Sequence, residues 1–253
     1  MPNPWNAGSA RVLARAGFSA VATTSAGFAW DEGLPDGDWA LPVDTVLAKI
    51  AAIVAAVDLP VNADFESGYA RDADGVAANV RRCVDTGVAG LSIEDATGDA
   101  SAPLFDLPVA IERLRAARAA IDASGQDVLL TGRAECYLVR HPDAQRECLR
   151  RLVAYAEAGA DVLYAPGVSR SVDIAEIVAA VAPRPVNVLQ SAPGRRVEDL
   201  AELGVRRISV GSGLAKLAWG PFMRATRVLA ERGSFDIFEG AMPFSEINGF
   251  FRS

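Results

Sequence analysis

The chain has 253 residues, of which 51% are hydrophobic and 23% charged, and its net charge is −7. The acidic balance and the lack of a basic run argue against a nucleic-acid partner. No apolar stretch approaches the roughly 20 residues of a membrane span, and the first residues lack the tract of a signal peptide. Three widely spaced cysteines without a CxxC pair predict reduced thiols in a cytoplasmic protein. A single histidine disfavours a zinc site.

Short apolar strands alternate with amphipathic helices along the chain. We predict strands at 19–24, 59–64, 88–94, 128–133, 161–165, 184–189 and 206–210. Helical patterns lie at 6–16, 42–57, 72–86, 108–123, 142–158, 171–181, 197–203 and 212–232. Because the strands are continuously apolar, they indicate a parallel sheet that is covered on both faces.

This order predicts an α/β fold in which residues 1–253 form a single (β/α)8 TIM barrel. A closed barrel needs eight strands, so the missing one is either very short, within residues 1–4, or lies elsewhere in the chain. The tail 235–253 is apolar and aromatic, and a barrel closed by eight helices has no interior left for it. We predict that this tail packs on a partner subunit in a homodimer or homotetramer. The alternative is packing against its own barrel.

Acidic residues end two neighbouring strands of the predicted sheet. Asp64 and Glu66 are two residues apart, so an extended strand would place both on one face. Glu94 closes the next strand, and Arg133 and Glu135 follow the one after it. Ligands gather at the carboxyl ends of parallel strands, and like charges that are this close need a cation or a proton between them. The pattern predicts a hard-metal site, with solvated strand ends as the alternative.

A long loop, 24–38, is predicted after the first strand. Loops longer than about 12 residues often serve as lids or binding loops. Thr24, Ser25 and Ala26 are small, so their backbone N–H groups would be accessible to an anion. Asp36 lies where a closing lid would carry a functional group, although Pro-Asp-Gly is also a favoured turn sequence.

Polar residues in later segments are further candidates. Asn187 interrupts an apolar strand, so we expect it to face the barrel mouth, either in a structural hydrogen bond or against a ligand. Residues 209–212 end the last strand before a helix, a place where barrels often bind anions, and Arg206 and Arg207 are the nearby basic residues. Arg113, Arg115 and Arg118 are expected on a solvated helix face.

Five motifs together resemble the isocitrate lyase/phosphoenolpyruvate mutase superfamily. They are Asn-Pro-Trp-Asn at 3–6, Thr-Thr-Ser-Ala-Gly at 23–27, Asp-Phe-Glu-Ser-Gly-Tyr at 64–69, Ile-Glu-Asp at 93–95 and Gly-Arg-Ala-Glu at 132–135. The resemblance covers nearly the whole chain, in order. It implies a (β/α)8 barrel, commonly a dimer of dimers that exchange the eighth helix. It also implies Mg2+, with Mn2+ as a possible substitute, and a 2-oxo acid or its enolate as ligand.

The resemblance implies roles residue by residue. Asp64 resembles the first metal-site acid of the family, Glu66 the second, where aspartate is commoner, and Glu94 the acid that holds metal-bound water. Arg133 resembles the arginine that binds the ligand carboxylate and the developing enolate oxygen. Glu135, two residues after Arg133, would lie on the same face of the strand and orient the Arg133 side chain.

Other positions match the family or depart from it. Residues 24–26 fall on the loop whose amides bind the carboxylate, and Asp36 aligns with the acid of the mobile gating loop. The lyase branch carries a Lys-Lys/Arg-Cys-Gly-His loop after the Glu-Asp pair, but the corresponding stretch 96–106 has no Cys, His or Lys. The mutase branch has a Lys and a downstream His where this chain has Ala96 and Ala165. The familiar routes of both branches are therefore disfavoured.

We predict a Mg2+-dependent enzyme that acts on a small 2-oxo or 2-hydroxy acid through an enolate-like intermediate, by carbon–carbon cleavage as a lyase or decarboxylase. The alternatives are a P–C hydrolase or mutase, and a 2-oxo acid binder without efficient turnover. The predicted catalytic residues are Asp36, Arg133 and Glu135. The predicted substrate-binding residues are Thr24, Ser25, Ala26, Asp64, Arg133 and Asn187, and the predicted metal ligands are Asp64, Glu66 and Glu94.

Overall fold

The computed structural model describes residues 1–37 and 39–252 of the chain. The chain divides into two compact units, Met1–Ser212 and Gly213–Ser253. The first unit holds a seven-stranded sheet in which the strands follow chain order and every neighbouring pair is parallel. Helices alternate with these strands, so the predicted (β/α) barrel is confirmed.

The strands lie within the predicted segments. All seven begin later than predicted, and β1, β5 and β7 also end earlier. They are β1 (Val21–Ala22), β2 (Val61–Asp64), β3 (Gly90–Glu94), β4 (Leu129–Arg133), β5 (Val162–Tyr164), β6 (Val186–Leu189) and β7 (Arg207–Ser209). The helices of this unit are α1 (Ala7–Arg15), α2 (Ser25–Asp31), α3 (Val43–Val54), α4 (Ala73–Val84), α5 (Leu107–Ser124), α6 (Ala144–Glu157), α7 (Ser171–Val181) and α8 (Val197–Glu202).

The first three residues run between β1 and β7 in the place of an eighth strand. On one side the carbonyl oxygen of Pro2 accepts a hydrogen bond from Ala22 N at 3.0 Å. On the other side Asn3 Oδ1 accepts from Val210 N and Gly211 N, both at 2.9 Å. Of the two options for the missing strand, the short N-terminal segment is therefore the one that the structure shows.

The prediction of a long loop after β1 is wrong for its first half, because residues 25–31 form the helix α2. Thr24 caps this helix, and its side-chain oxygen accepts from Gly27 N at 3.4 Å. Phe28 and Ala29 are each 1% exposed, so burial of an apolar helix face stabilises the helix more than the small residues at its start favour a loop. Asp38, at the end of the predicted loop, lies outside the described residues.

The interior of the barrel is polar. A barrel of this type is usually filled by layers of large apolar side chains. Here the inward positions carry buried polar side chains, namely Asn62, Ser92, Thr131, Asn187 and Ser209. The apolar core lies instead between the strands and the helices, where Leu91, Ile93 and Leu130 are at most 2% exposed. Buried polar side chains need hydrogen-bond partners, which here can come from one another, from water or from a ligand.

The second unit is helical, with α9 (Gly213–Arg232), a 3-10 turn (Asp236–Phe238) and α10 (Phe244–Phe250). It begins earlier in the chain than the predicted tail 235–253. Many of its large apolar side chains are more than half exposed, among them Leu217, Phe222, Met223, Phe235, Phe238, Met242 and Phe244. Their packing on a partner subunit stays a prediction. Among the described residues of the whole chain, no helix is long and apolar enough to cross a bilayer.

Candidate active site

A cavity of about 190 Å³ lies at the carboxyl end of the barrel strands. Seven of the predicted site residues line it: Thr24, Ser25, Ala26, Asp36, Asp64, Arg133 and Asn187. Ser92 and Tyr164, which were not candidates, also line the cavity. So do Arg207 and Ser209, which the sequence indicated only as part of a possible anion site after the last strand. Glu66, Glu94 and Glu135 are the predicted site residues outside this lining.

Arg133, at the end of β4, connects three carboxyl groups. Its Nη1 atom lies 3.0 Å from Asp64 Oδ1 and 2.9 Å from Glu94 Oε2. Its Nε atom donates to Glu135 Oε1. The guanidinium carbon is 5.5 Å from the centroid of the Tyr164 ring, within the range of a cation–π contact. The ends of β2, β3 and β4 thus bring their charged side chains to one point.

The cluster holds more negative than positive charge. Burial raises the pKa of Glu94 well above its usual value, and the charges of Glu135 and Asp64 add to the rise, although Arg133 opposes it. Burial also raises the pKa of Glu135, again against the effect of Arg133. Carboxyl groups in such an environment favour a proton or a bound cation nearby.

These carboxyl groups fit a hard divalent cation that keeps most of its water. Among residues 1–37 and 39–252, no group of three or more His, Cys, Asp or Glu side chains is arranged to enclose a metal ion. Mg2+ in enzymes is usually bound through one or two carboxylates and retains several waters. The oxygen donors of Asp64 and Glu94, with an excess of negative charge, match that mode of binding. The predicted ligand set of Asp64, Glu66 and Glu94 stays a prediction.

Glu66 lies in a strained loop and not on the strand. β2 ends at Asp64, so strand periodicity does not place the two acids on one face, contrary to the expectation from their spacing. Glu66 and Tyr69 have φ angles of 42° and 51°, a conformation that costs about 1–3 kcal/mol for residues other than glycine. The carboxyl group of Glu66 accepts hydrogen bonds from Tyr69 Oη at 2.7 Å and Trp39 N at 2.9 Å. These contacts help to hold the strained loop beside the cavity.

Arg113 on α5 supports the same loop and was placed wrongly by the sequence analysis. It is 1% exposed, whereas it was expected on a solvated helix face together with Arg115 and Arg118. Its guanidinium donates to the carbonyl oxygens of Ser67 at 2.5 Å, Ala70 at 2.7 Å and Arg71 at 3.1 Å. The turn directs these carbonyls inward, where they need donors. The spacing of the apolar positions on α5 is the signal that would have placed Arg113 inside.

Ser25 positions Asp64. The backbone N and the Oγ atom of Ser25 donate to Asp64 Oδ2 at 3.0 and 3.1 Å. The backbone N of Asp64 donates to Thr23 Oγ1 at 2.9 Å. Since Arg133 holds the other carboxylate oxygen of Asp64, the orientation of this side chain is fixed from both sides. The predicted binding of a ligand carboxylate by residues 24–26 stays a prediction.

Asp36 lines the cavity from the segment between α2 and α3. Burial raises the pKa of its carboxyl group, and the nearby charge of Asp64 adds to the rise. A raised pKa moves a carboxylic acid towards the range in which it can donate a proton at neutral pH. Its predicted catalytic role is not tested by these contacts.

Asn187 makes the structural hydrogen bonds that were one of its two predicted roles. Its Nδ2 atom donates to Ser209 Oγ at 3.0 Å, and its Oδ1 atom accepts from Arg207 Nε at 3.1 Å. Arg207 itself lines the cavity and was noted from sequence only as a basic residue near the last strand.

Comparison with known proteins identifies the family. The family model for phosphoenolpyruvate phosphomutase matches residues 1–230. A protein of Burkholderia cenocepacia J2315 assigned as a lyase or mutase superposes with a TM-score of 0.93 and 44% identity, over 100% of this chain and 90% of that one. The structure of 2,3-dimethylmalate lyase superposes with a TM-score of 0.87 and 25% identity, over 99% of this chain and 88% of that one. An oxaloacetate decarboxylase of Rhodopseudomonas palustris is 32% identical over 222 residues, which are 83% of this chain and 70% of the relative.

The match to the family extends over most of the chain, including every strand of the barrel and all of the cavity lining. The predicted superfamily is confirmed, and so is the prediction of an enzyme from it. The chain belongs to the phosphoenolpyruvate phosphomutase family, within the isocitrate lyase/phosphoenolpyruvate mutase superfamily.

Proposed function

We propose that this protein is a metal-assisted lyase or decarboxylase that breaks a carbon–carbon bond next to a 2-oxo or 2-hydroxy carboxylate. The observation that carries the proposal is the convergence of Arg133, Asp64 and Glu94 beside a cavity of about 190 Å³, which has room only for a small solute. Two similar proteins, oxaloacetate decarboxylase and 2,3-dimethylmalate lyase, are named for reactions of this class.

Arg133 has donors to offer a ligand carboxylate. Its Nε atom bonds to Glu135, and its Nη1 atom faces both Asp64 and Glu94. No described residue accepts a hydrogen bond from the Nη2 atom of Arg133, so both N–H groups of that nitrogen are available to a ligand. Guanidinium donors suit the planar carboxylate and the oxygen on which negative charge develops as the bond breaks.

Asp64 and Glu94 would hold the divalent cation, and a cation there would withdraw electron density from the 2-oxo or 2-hydroxy oxygen of the substrate. In a 2-oxo acid the bond between C3 and its carboxylate breaks, CO2 leaves, and the electron pair stays on C3, from which it delocalises through C2 onto the 2-oxo oxygen to give an enolate. In a 2-hydroxy acid the hydroxyl proton leaves to a base, the C2–C3 bond breaks as C2 becomes a carbonyl, and the electron pair on C3 delocalises onto the carboxylate attached to C3. The Nη2 donors of Arg133 stabilise the resulting charge. Glu135 keeps the guanidinium in this orientation through its bond to Nε.

Asp36 is the group that we assign to proton transfer. Residues 96–106 contain no Cys, His or Lys, and this segment instead folds on itself through an isolated antiparallel bridge between Ala96 and Leu104. Asp36 lines the cavity, and burial raises its pKa, which makes the protonated form that can donate to the carbanion more populated than in an exposed aspartate. Closure of its segment over the ligand would exclude water from that step.

The test is an activity panel. Purified protein is assayed with Mg2+ or Mn2+ on oxaloacetate, 2,3-dimethylmalate, methylisocitrate and phosphonopyruvate, with metal-only blanks because divalent cations decarboxylate oxaloacetate unaided. We expect metal-dependent carbon–carbon cleavage that Asp64→Ala abolishes. Asp85→Asn, on the exposed C-cap at the other end of the barrel from the cavity, is the matched control.

The alternatives give different results in the same panel. Release of phosphate from phosphonopyruvate would identify a P–C hydrolase, and its conversion to phosphoenolpyruvate would identify a mutase. Saturable binding of 2-oxo acids without any product would identify a binding protein. Each of these outcomes would overturn the lyase proposal.

We also propose that the protein works as a homodimer or homotetramer in which the second unit contacts another copy. The support is the row of large apolar side chains on α9 and beyond, among them Phe222 at 58% and Phe244 at 81% exposure. Exposed apolar patches of this kind mark interaction surfaces. Light scattering at assay concentrations tests this, and a monomer would contradict it.

A further inference from the structure

We propose that Arg207 binds a second carboxylate of the substrate at the inner end of the cavity, so that the site selects small dicarboxylic acids. This inference rests on the proposed function for its link to turnover, but the binding site itself follows from the surroundings of Arg207.

Arg207 carries a charge that no carboxylate balances. Its Nε, Nη1 and Nη2 atoms donate to Asn187 Oδ1 at 3.1 Å, Asn62 Oδ1 at 3.3 Å and Thr131 Oγ1 at 2.9 Å. All three acceptors are neutral. Among the described residues, no acid lies within ion-pair distance of this guanidinium, although Arg133 in the same cavity meets three acids.

Donors of Arg207 remain for a ligand. A guanidinium has five N–H groups, and the three bonds above use three of them. One N–H is left on each terminal nitrogen, a pair that suits a carboxylate. Burial lowers the pKa of Arg207 to about 10, because a desolvated charge without an opposite charge is unfavourable. An anion at this position would relieve that penalty.

The two arginines lie at successive levels of the barrel interior. Thr131, which holds Arg207, stands two residues before Arg133 on β4, and Asn62 stands two residues before Asp64 on β2. Two residues of strand span about 6–7 Å. The cavity lining includes both levels, so one small ligand can reach Arg133 with one end and Arg207 with the other.

Asn62, Thr131 and Asn187 keep this guanidinium fixed without neutralising it. Arg113, the fully buried arginine of α5, serves a different purpose, since its donors satisfy backbone carbonyls of a turn and it is not in the cavity lining. A site built to pair a charge rejects ligands that lack the partner, because the charge is then left buried and unpaired. A monocarboxylic acid would leave Arg207 in that state.

The experiment compares succinate with butyrate, which differ only in the second carboxylate, by calorimetric titration of the whole protein in the presence of Mg2+. We expect succinate to bind the wild-type protein about 10- to 100-fold more tightly, as for a hydrogen bond between charged groups. In Arg207→Gln this ratio should fall to about one, with butyrate affinity unchanged. Arg206→Gln, on the exposed neighbour, is the control and should keep the wild-type ratio.

Two further results bear on the proposal. If Arg207→Gln does not fold, as judged by circular dichroism, Arg207→Lys serves in its place and should weaken succinate alone, because a single ammonium does not reproduce the paired donors. Equal affinities of the two acids for the wild-type protein, or a ratio unchanged by either variant, would overturn it. An Arg207-dependent preference for succinate without turnover of any 2-oxo acid would leave this site standing while the proposed function fails.

Discussion

Glu94 and Asp95 are adjacent acids at the end of β3, yet they face opposite sides of the sheet. Glu94 meets Arg133 beside the cavity. Asp95 lies on the helix side, where it accepts from Arg151 Nη1 at 3.0 Å and from Tyr155 Oη at 2.5 Å. Both acids are paired with an arginine, but one arginine has donors left for a ligand and the other is sealed between β3 and α6. Neighbouring residues of the same chemistry thus serve binding on one face and stability on the other.

We call Asp95, Arg151 and Tyr155 the sealed cluster, and Asp64, Glu94, Arg133 and Glu135 the open cluster. The sealed cluster also supports the open cluster. The second carboxylate oxygen of Asp95 accepts from the backbone N of Glu135 at 2.8 Å, which fixes the chain just after Arg133. Arg151 Nη1 donates in addition to the carbonyl oxygen of Phe105 at 2.9 Å. Asp95 therefore ties β3, β4 and α6 together at the level of the cavity, so changes to it should be felt first in stability.

The largest expected effect comes from breaking the sealed cluster. Asp95→Ala removes the buried acceptor of Arg151 Nη1, Tyr155 Oη and Glu135 N, while Glu147 stays paired with Arg151 Nε. Because three buried donors lose their acceptor, we expect the free energy of unfolding to fall by about 3–5 kcal/mol. Urea denaturation monitored by circular dichroism measures this loss. Asp85→Asn on the exposed end of α4 is the control. A loss below about 1 kcal/mol would show that Asp95 contributes no more to stability than an ordinary surface acid does. The conclusion that Asp95 stabilises the fold would then be wrong.

The second effect is on the open cluster. Arg133→Lys keeps the positive charge but loses the Nη2 donors, so we expect kcat/KM on the substrate to fall by about 10²–10³-fold. Steady-state kinetics with saturating Mg2+ measures the fall, and Arg81→Lys on the exposed face of α4 should leave the rate unchanged. If Arg133→Lys instead loses as much stability as Asp95→Ala and keeps its activity, then Arg133 stabilises the fold as Asp95 does and does not bind the substrate.

The open cluster could be predicted from the sequence because the order and direction of the strands are enough to bring its side chains together. Once Asp64, Glu94 and Arg133 are placed at the ends of successive parallel strands, they must meet at one edge of the sheet. Asp95, one residue further on, was read only as part of the same acidic pair. Its outward direction follows from strand alternation, but its partners on α6 lie 56 and 60 residues away and carry no local signal.

The residues that were missed or misplaced depend on contacts between distant segments. Arg207 meets Thr131 and Asn62, which are 76 and 145 residues away in the chain. Arg113 meets carbonyls 42 to 46 residues away. Helix α2 forms because its apolar face is buried in the folded barrel, whereas propensity over seven residues is too weak to predict it. Patterns along the chain report the period of an element, not the partner of a polar side chain.

The third effect concerns the proton donor at the rim of the open cluster. Asp36→Asn keeps a side chain suited to the turn but cannot donate a proton, so we expect kcat to fall by about 10²-fold while ligand affinity is largely kept. In the wild-type protein an acid of raised pKa is active while protonated, so kcat should fall as pH rises through that pKa. The variant should lack this limb in a pH–rate profile. Unchanged turnover would return Asp36 to the role of a turn residue.

The smallest expected effect is on stability and depends on pH. The pKa of Glu94 is raised in the folded protein, chiefly by burial, so the folded state holds this proton more tightly than the unfolded chain does. Its contribution to stability is then present below the unfolded pKa and is lost as pH rises through the folded pKa. Glu94→Gln resembles the protonated acid, so its melting temperature should equal that of the wild type at or below about pH 4, near the pKa of an exposed Glu side chain. Above neutral pH the variant should melt higher, because it no longer carries a buried negative charge among other acids. If Glu94→Gln melts lower than the wild type at alkaline pH, the ionised pair of Glu94 with Arg133 stabilises the fold, and the open cluster resembles the sealed one after all.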